Sequence, residues 1–120
     1  MRRAALALPL AAATLVACGG DGYPDKPQQV AKAYVATNAG SKCRFLSQAL
    51  IETLTGRQGA DALRTCERNV ARVPKPKQVI LRDSEVDEHD AEVEVLSDGS
   101  EAKLKMVRSG DRWKITGFSD

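Results

Sequence analysis

Ser97-Asp98-Gly99-Ser100 restricts the fold of this chain more than any other stretch. Asp-Gly is a strong signal for a two-residue hairpin, whose favoured turn needs positive φ at both loop positions. With Asp98 and Gly99 as the loop, Glu94 faces Lys103 and Glu92 faces Lys105, while Val93 faces Leu104 and Ala91 faces Met106. The opposite-charge pairs share one face and the apolar pairs the other, as a half-buried antiparallel sheet requires. The next turn, Ser109-Gly110-Asp111-Arg112, places Met106 opposite Ile115 and Trp113 on the same inner face. Val79-Ile80-Leu81 opens a further strand over residues 79–87. A four-stranded meander is therefore expected, with Ala91, Val93, Val95, Leu104, Met106, Trp113 and Ile115 facing inward. Phe118 is expected on the outer face near Leu96, Val107 and Thr116, in a mixed patch that suits a partner, a second copy or a covering segment.

Upstream of Pro74 and Pro76 the apolar period is helical. Asp25 can cap a first helix with Pro27 in its opening turn, Val30, Ala31, Tyr34 and Val35 on one face, and Gly40 as its stop. A second helical stretch, residues 42–54, carries Leu46, Leu50 and Leu54 on one stripe, and Ser47 can break it in two. A third, residues 60–72, aligns Ala62, Leu63, Cys66 and Val70. Helices first and strands second make an α+β pattern: N-terminal helices on one face of a curved four-stranded antiparallel meander.

The N-terminus is targeting sequence. Arg2 and Arg3 precede an uncharged apolar run too short for a comfortable membrane span of about 20 residues. The run closes on Leu15-Val16-Ala17-Cys18, which looks like a bacterial lipobox, with Cys18 lipidated and first in the mature chain. An ordinary secretory signal with an incidental Cys18 is the alternative. The expected organisation is a lipoprotein signal peptide over residues 1–17, a lipidated Cys18 with a flexible tether over 18–25, and one α+β domain over 26–120. Such a protein is exported and held by its lipid on the outer face of the plasma membrane, or on the outer membrane of a diderm. More than one acyl chain makes that anchoring stable.

With Cys18 used by the lipid, Cys43 and Cys66 remain as an even pair, and an exported chain meets oxidising conditions. They are expected as a disulfide. Two thiols and the single histidine do not supply four metal ligands, and there is no Cys-x-x-Cys. Charge is sorted along the chain: residues 26–77 hold ten basic and three acidic side chains, and residues 83–101 hold nine acids and no Lys or Arg. The basic part is a solvated helix surface or a contact for anionic headgroups or wall polymers. Nucleic acid is not an expected partner of an exported chain with few aromatics.

Helices followed by a curved sheet that closes on Gly110-Asp111-Arg112-Trp113-Lys114-Ile115 resemble the small lipoprotein members of the nuclear-transport-factor-2-like superfamily. These are cone-shaped domains, also called cystatin-like, and include the SnoaL-like cyclases. The resemblance spans residues 26–120 and implies a tryptophan plugging the cone. For function it implies little, since the superfamily holds isomerases, cyclases, dehydratases, assembly domains and binding modules.

The chemistry-bearing candidates are few. His89 is flanked by Asp87, Glu88 and Asp90 in a run that reads as a strand connection, so an acidic loop explains it without catalysis. The inner sheet positions lack a carboxylate. Tyr34 can point a hydroxyl into the cone or simply pack there, and Met106 and Trp113 would share that pocket or belong to the core. No catalytic residue, metal or cofactor is assigned. The expected function is a non-enzymatic, lipid-anchored envelope domain that binds a partner protein or a small apolar ligand. The alternative is a small isomerase- or cyclase-type enzyme with its pocket between helices and sheet. A structural role as a homodimer across the open sheet face is a third possibility.

Overall fold

The computed structural model describes residues 22–119. The expected leader over 1–17, the expected lipid site Cys18 and residues 19–21 of the expected tether lie outside the described residues.

Among the described residues three α-helices precede a sheet. Helix α1 is Pro27–Ala36. A 3-10 segment, Gly40–Phe45, leads to α2, Gln48–Thr55, and α3, Gly59–Val70. Strands β1 (Val79–Val86), β2 (Asp90–Ser97), β3 (Ser100–Ser109) and β4 (Arg112–Ser119) pair antiparallel in the order β1-β2-β3-β4. The fold is α+β, with helices packed against an open meander.

The hairpin reading holds pair by pair: Ala91 meets Met106, Glu92 Lys105, Val93 Leu104 and Glu94 Lys103. Asp98 and Gly99 take φ of 50° and 86°, the double positive of a type I′ turn. Asp98 has a second role. Its carboxylate accepts the N–H groups of Lys77 and Gln78 at 3.0 and 2.8 Å, tying the start of β1 to the turn. On the inner face Val93, Val95, Leu104, Met106 and Ile115 are fully buried. Each stabilises the fold by roughly 1.5–3 kcal/mol.

Two bulges interrupt the ladders. Arg82 is the extra residue of β1, and Thr116 of β4, where Lys105 pairs Gly117 but Met106 pairs Ile115. A bulge bends its strand and shifts the face of every later side chain. Phe118 therefore pairs Leu104 and lies on the helix side, its ring 5.9 Å from that of Tyr34. This corrects the expected outward patch: simple alternation fails at Thr116.

The helices divide the work. Helix α1 alone crosses the inner sheet face, touching β1, β2 and β4 through buried Val30 and Ala31. Pro27 occupies its first turn as expected, but the cap position is Lys26 rather than Asp25, and the helix ends at Ala36, before Gly40. Gly40 instead starts the 3-10 segment hard against α3, where a Cβ would meet that of Glu67 at 3.1 Å. Ser47 does break the second stretch, and its hydroxyl caps α2 by accepting the Leu50 N–H at 3.1 Å. Starting the helix there buries Ile51 and leaves Leu54 exposed, so the Leu46-Leu50-Leu54 stripe does not form. The α2–α3 pair stands beside β4 and the 3-10 segment, and the disulfide Cys43–Cys66 joins that segment to α3. Closing a loop of this length stabilises by about 3 kcal/mol in the chain-entropy account.

Candidate functional site

The side chains with the most unusual surroundings gather along the free edge of β4. Leu46 bridges to Ile115 as a one-residue parallel ladder, and the Ser47 N–H donates to the Ile115 carbonyl at 2.8 Å. Two residues earlier on the same edge, the Trp113 carbonyl accepts the Tyr23 hydroxyl. An edge carbonyl left dry and unpaired would cost about 1–3 kcal/mol, so both closures matter.

Tyr23 falls within the tether expected over 18–25, yet it is 3% exposed and belongs to the core. Its ring packs on Phe45 with centroids 5.3 Å apart. Three cations surround that ring: Arg112 at 4.6 Å, Lys114 at 5.1 Å and Arg44 at 5.5 Å from the centroid. The ordered domain thus begins at least three residues before residue 26. One signal for this was present. The chain has one Trp, two Tyr and two Phe, too few aromatics to spend one on a solvated linker.

Next to this cluster lies a cleft of about 460 Å³. Leu46, Ile51 and Leu63 form its helical wall, Val107 and Thr116 its sheet wall, and Lys114 stands at it as a cation. The walls are mainly apolar, so the recess suits an apolar group with an anionic end.

Of the pocket residues expected from the sequence, Met106 and Trp113 are core side chains, 1% and 5% exposed, and Tyr34 is half-buried on α1. None of the three lines the cleft. Sequence reasoning missed Lys42, whose side chain is 7% exposed and whose Nζ sits 4.4 Å above the Tyr34 ring. Burial pushes the Lys42 ammonium below its ordinary pKa and the Tyr34 phenol above its own. His89 lies in the β1–β2 connection, exposed, with its Nε2 3.5 Å from the Glu88 carboxylate. Its side chain does not line the cleft, although its carbonyl accepts the Arg108 N–H at 2.8 Å, between the cleft residues Val107 and Ser109. Among the described residues no three of His, Cys, Asp and Glu gather in a metal-holding group.

Across the outer sheet face, Glu94 pairs with Arg82 of the β1 bulge at 3.9 Å, and Arg82 reaches Glu101 at 3.5 Å. These are surface pairs and add little stability. Of the nine acids of residues 83–101, seven lie on β1, β2 and their connection, Asp98 in the β2–β3 turn and Glu101 on β3, so the β1–β2 half of the sheet is the more acidic.

No family model and no curated protein matches the chain. Among solved structures it is similar to a Campylobacter jejuni protein described as a nuclear-transport-factor-2-like transpeptidase. The two are 11% identical with a TM-score of 0.46, over 75% of this chain and 93% of that one.

Proposed function

We propose that this chain is a lipid-anchored cell-envelope domain that binds a partner protein or a small apolar ligand and catalyses no reaction. The observation that carries this reading is the contrast between interior and edge. The inner sheet face is filled by apolar side chains, whereas the recess of ligand size is an open apolar cleft beside β4. A filled interior offers no enclosed place for acid–base chemistry, and an open apolar recess offers contact. The Leu15-Val16-Ala17-Cys18 tetrad supports the address, and the Cys43–Cys66 bond is in keeping with an oxidising compartment. Among the described residues no helix is long and apolar enough to cross a membrane, so a lipid on Cys18 would carry the anchoring. Helix order, the meander and Trp113 in the closing strand support a cone of the nuclear-transport-factor-2-like kind.

The enzyme reading keeps one foothold, the half-buried Tyr34 phenol under the Lys42 ammonium. A small isomerase or cyclase working there would lose turnover on Tyr34→Phe, while a binding domain would keep its partner.

Two experiments test the proposal. Metabolic labelling with a clickable fatty acid should mark the parent chain and leave Cys18→Ser unmarked. Reversible crosslinking of the full lipidated protein in its native membrane should recover a partner or ligand that is lost on Leu63→Asp or Val107→Asp. Retention of the same partner by both variants would remove the cleft from the reading.

A further inference from the structure

We infer that the cleft beside β4 is the seat of one acyl chain carried by this protein's own Cys18, so that the lipid and a partner compete for the same recess. The inference rests on the lipid anchor at Cys18 proposed above, and it adds an occupant and a regulation to the cleft.

The first observation is where the chain leaves the domain. Tyr23 is fixed by its ring against Phe45 and by its hydroxyl on the Trp113 carbonyl. Arg44 and Lys114 approach that ring to 5.5 and 5.1 Å of its centroid, and both also line the cleft. The segment before Tyr23 therefore starts at the border of the recess. Cys18 is five residues upstream, within at most about 18 Å of Tyr23 for an extended chain.

The second observation is what that segment can offer. Gly19, Gly20, Asp21 and Gly22 stand between Cys18 and Tyr23, without one apolar side chain. Gly22 has a φ of 77°, a turn conformation that glycine adopts readily, and two further glycines let the chain double back. In the processed chain, a lipid on Cys18 is the one apolar group this leash can bring to the cleft.

The third is size and chemistry. Leu46, Ile51, Leu63 and Val107 give the recess apolar walls, and Leu63 and Val107 stay 36% and 38% exposed. A volume of about 460 Å³ holds about fifteen methylenes, taking roughly 30 Å³ each, as for a water molecule in the liquid. That is room for one long acyl chain and not for two. A bilayer offers the chain a fully apolar surrounding, so the seat fills where no bilayer is at hand and empties on insertion. The cleft then opens to a partner on the membrane and stays closed off it.

Photocrosslinking of the full lipidated protein tests this. The parent chain and Cys18→Ser are grown with a clickable fatty acid that bears a diazirine, and each is mixed with an unlabelled copy enriched in heavy nitrogen. Illumination follows dilution out of detergent and, separately, transfer to phosphatidylcholine vesicles. In dilution, the parent should crosslink within its own molecule to the peptides bearing Leu63 and Val107. Vesicles, or Leu63→Asp with Val107→Asp, should reduce those crosslinks several-fold while Cys18 stays acylated. An acylated Cys18 whose cleft crosslinks are no more frequent than in the double variant would overturn the seat and leave the anchor intact. Crosslinks to the heavy copy as frequent as those within the molecule would overturn the protein's own lipid as occupant. Absence of the fatty acid from Cys18 of the parent would overturn the anchor and the seat together.

Discussion

At the β4 edge the carbonyls of Trp113 and Ile115 are taken by the Tyr23 hydroxyl and the Ser47 amide, and Leu46 closes over them. At the β1 edge Ile80, Leu81 and Val86 stay exposed, and among the described residues no further strand pairs there. Both edges face the same problem, a row of backbone groups that would recruit another chain. One edge is solved by cover. The other is solved by the Arg82 bulge and by acids at Asp83, Glu85 and Asp87, which twist and charge it. The covered edge consequently carries the architecture and the candidate site, while the open edge carries mainly electrostatics.

That contrast can be broken most severely at the staple. Cys43→Ala with Cys66→Ala should cost about 3 kcal/mol and lower Tm by roughly 15 °C, read by thermal unfolding. A loss of only a degree or two would mean the β4 side holds without its disulfide. Next, Leu46→Ala at the covered edge should cost about 2–3 kcal/mol by urea titration, against no more than about 0.5 kcal/mol for Leu81→Ala at the open edge. Equal costs would erase the distinction. Tyr23→Phe sharpens it, with an expected loss of about 1 kcal/mol as the Trp113 carbonyl is left without its donor. The smallest effect is a pH dependence at Lys42, on the covered side. Below its lowered pKa the folded chain bears the cost of burying the ammonium. As pH rises through that value towards the ordinary 10.5, the unfolded chain holds more protons and stability increases. Lys42→Met should therefore be the more stable protein at neutral pH, with an advantage that shrinks in alkali. An advantage independent of pH would assign the gain to packing instead.

Much of the sheet was legible because Asp98-Gly99 fixes the register and strict alternation carries it along β2 and β3. The information ran out where one residue breaks the count. Nothing in Ile115-Thr116-Gly117-Phe118 announces that Thr116 is the extra residue, yet it moves Phe118 to the other face. Likewise Ser47 was readable as a break, but its rotation of α2 brings Ile51 inward instead of Leu54. The site was less legible than the fold. Tyr23 sits among Gly, Pro and Asp, and only tertiary contact with Phe45 and Trp113 makes it core. The cleft joins residues far apart in sequence, Leu46 to Leu63 with Val107 to Thr116, and no local pattern reports such a meeting.

The disulfide has a mechanical consequence for that cleft. Its helical wall, from Cys43 through Leu46, Ser47 and Ile51 to Leu63, lies within the loop that Cys43 and Cys66 close. The wall is a covalent ring facing a sheet, joined to it by the Ser47–Ile115 bond and the Leu46 bridge. The bond limits how far the two ends of that wall can separate, and α2 and α3 also pack on each other, so their amides should exchange together, out of step with those of the sheet, by native-state hydrogen exchange.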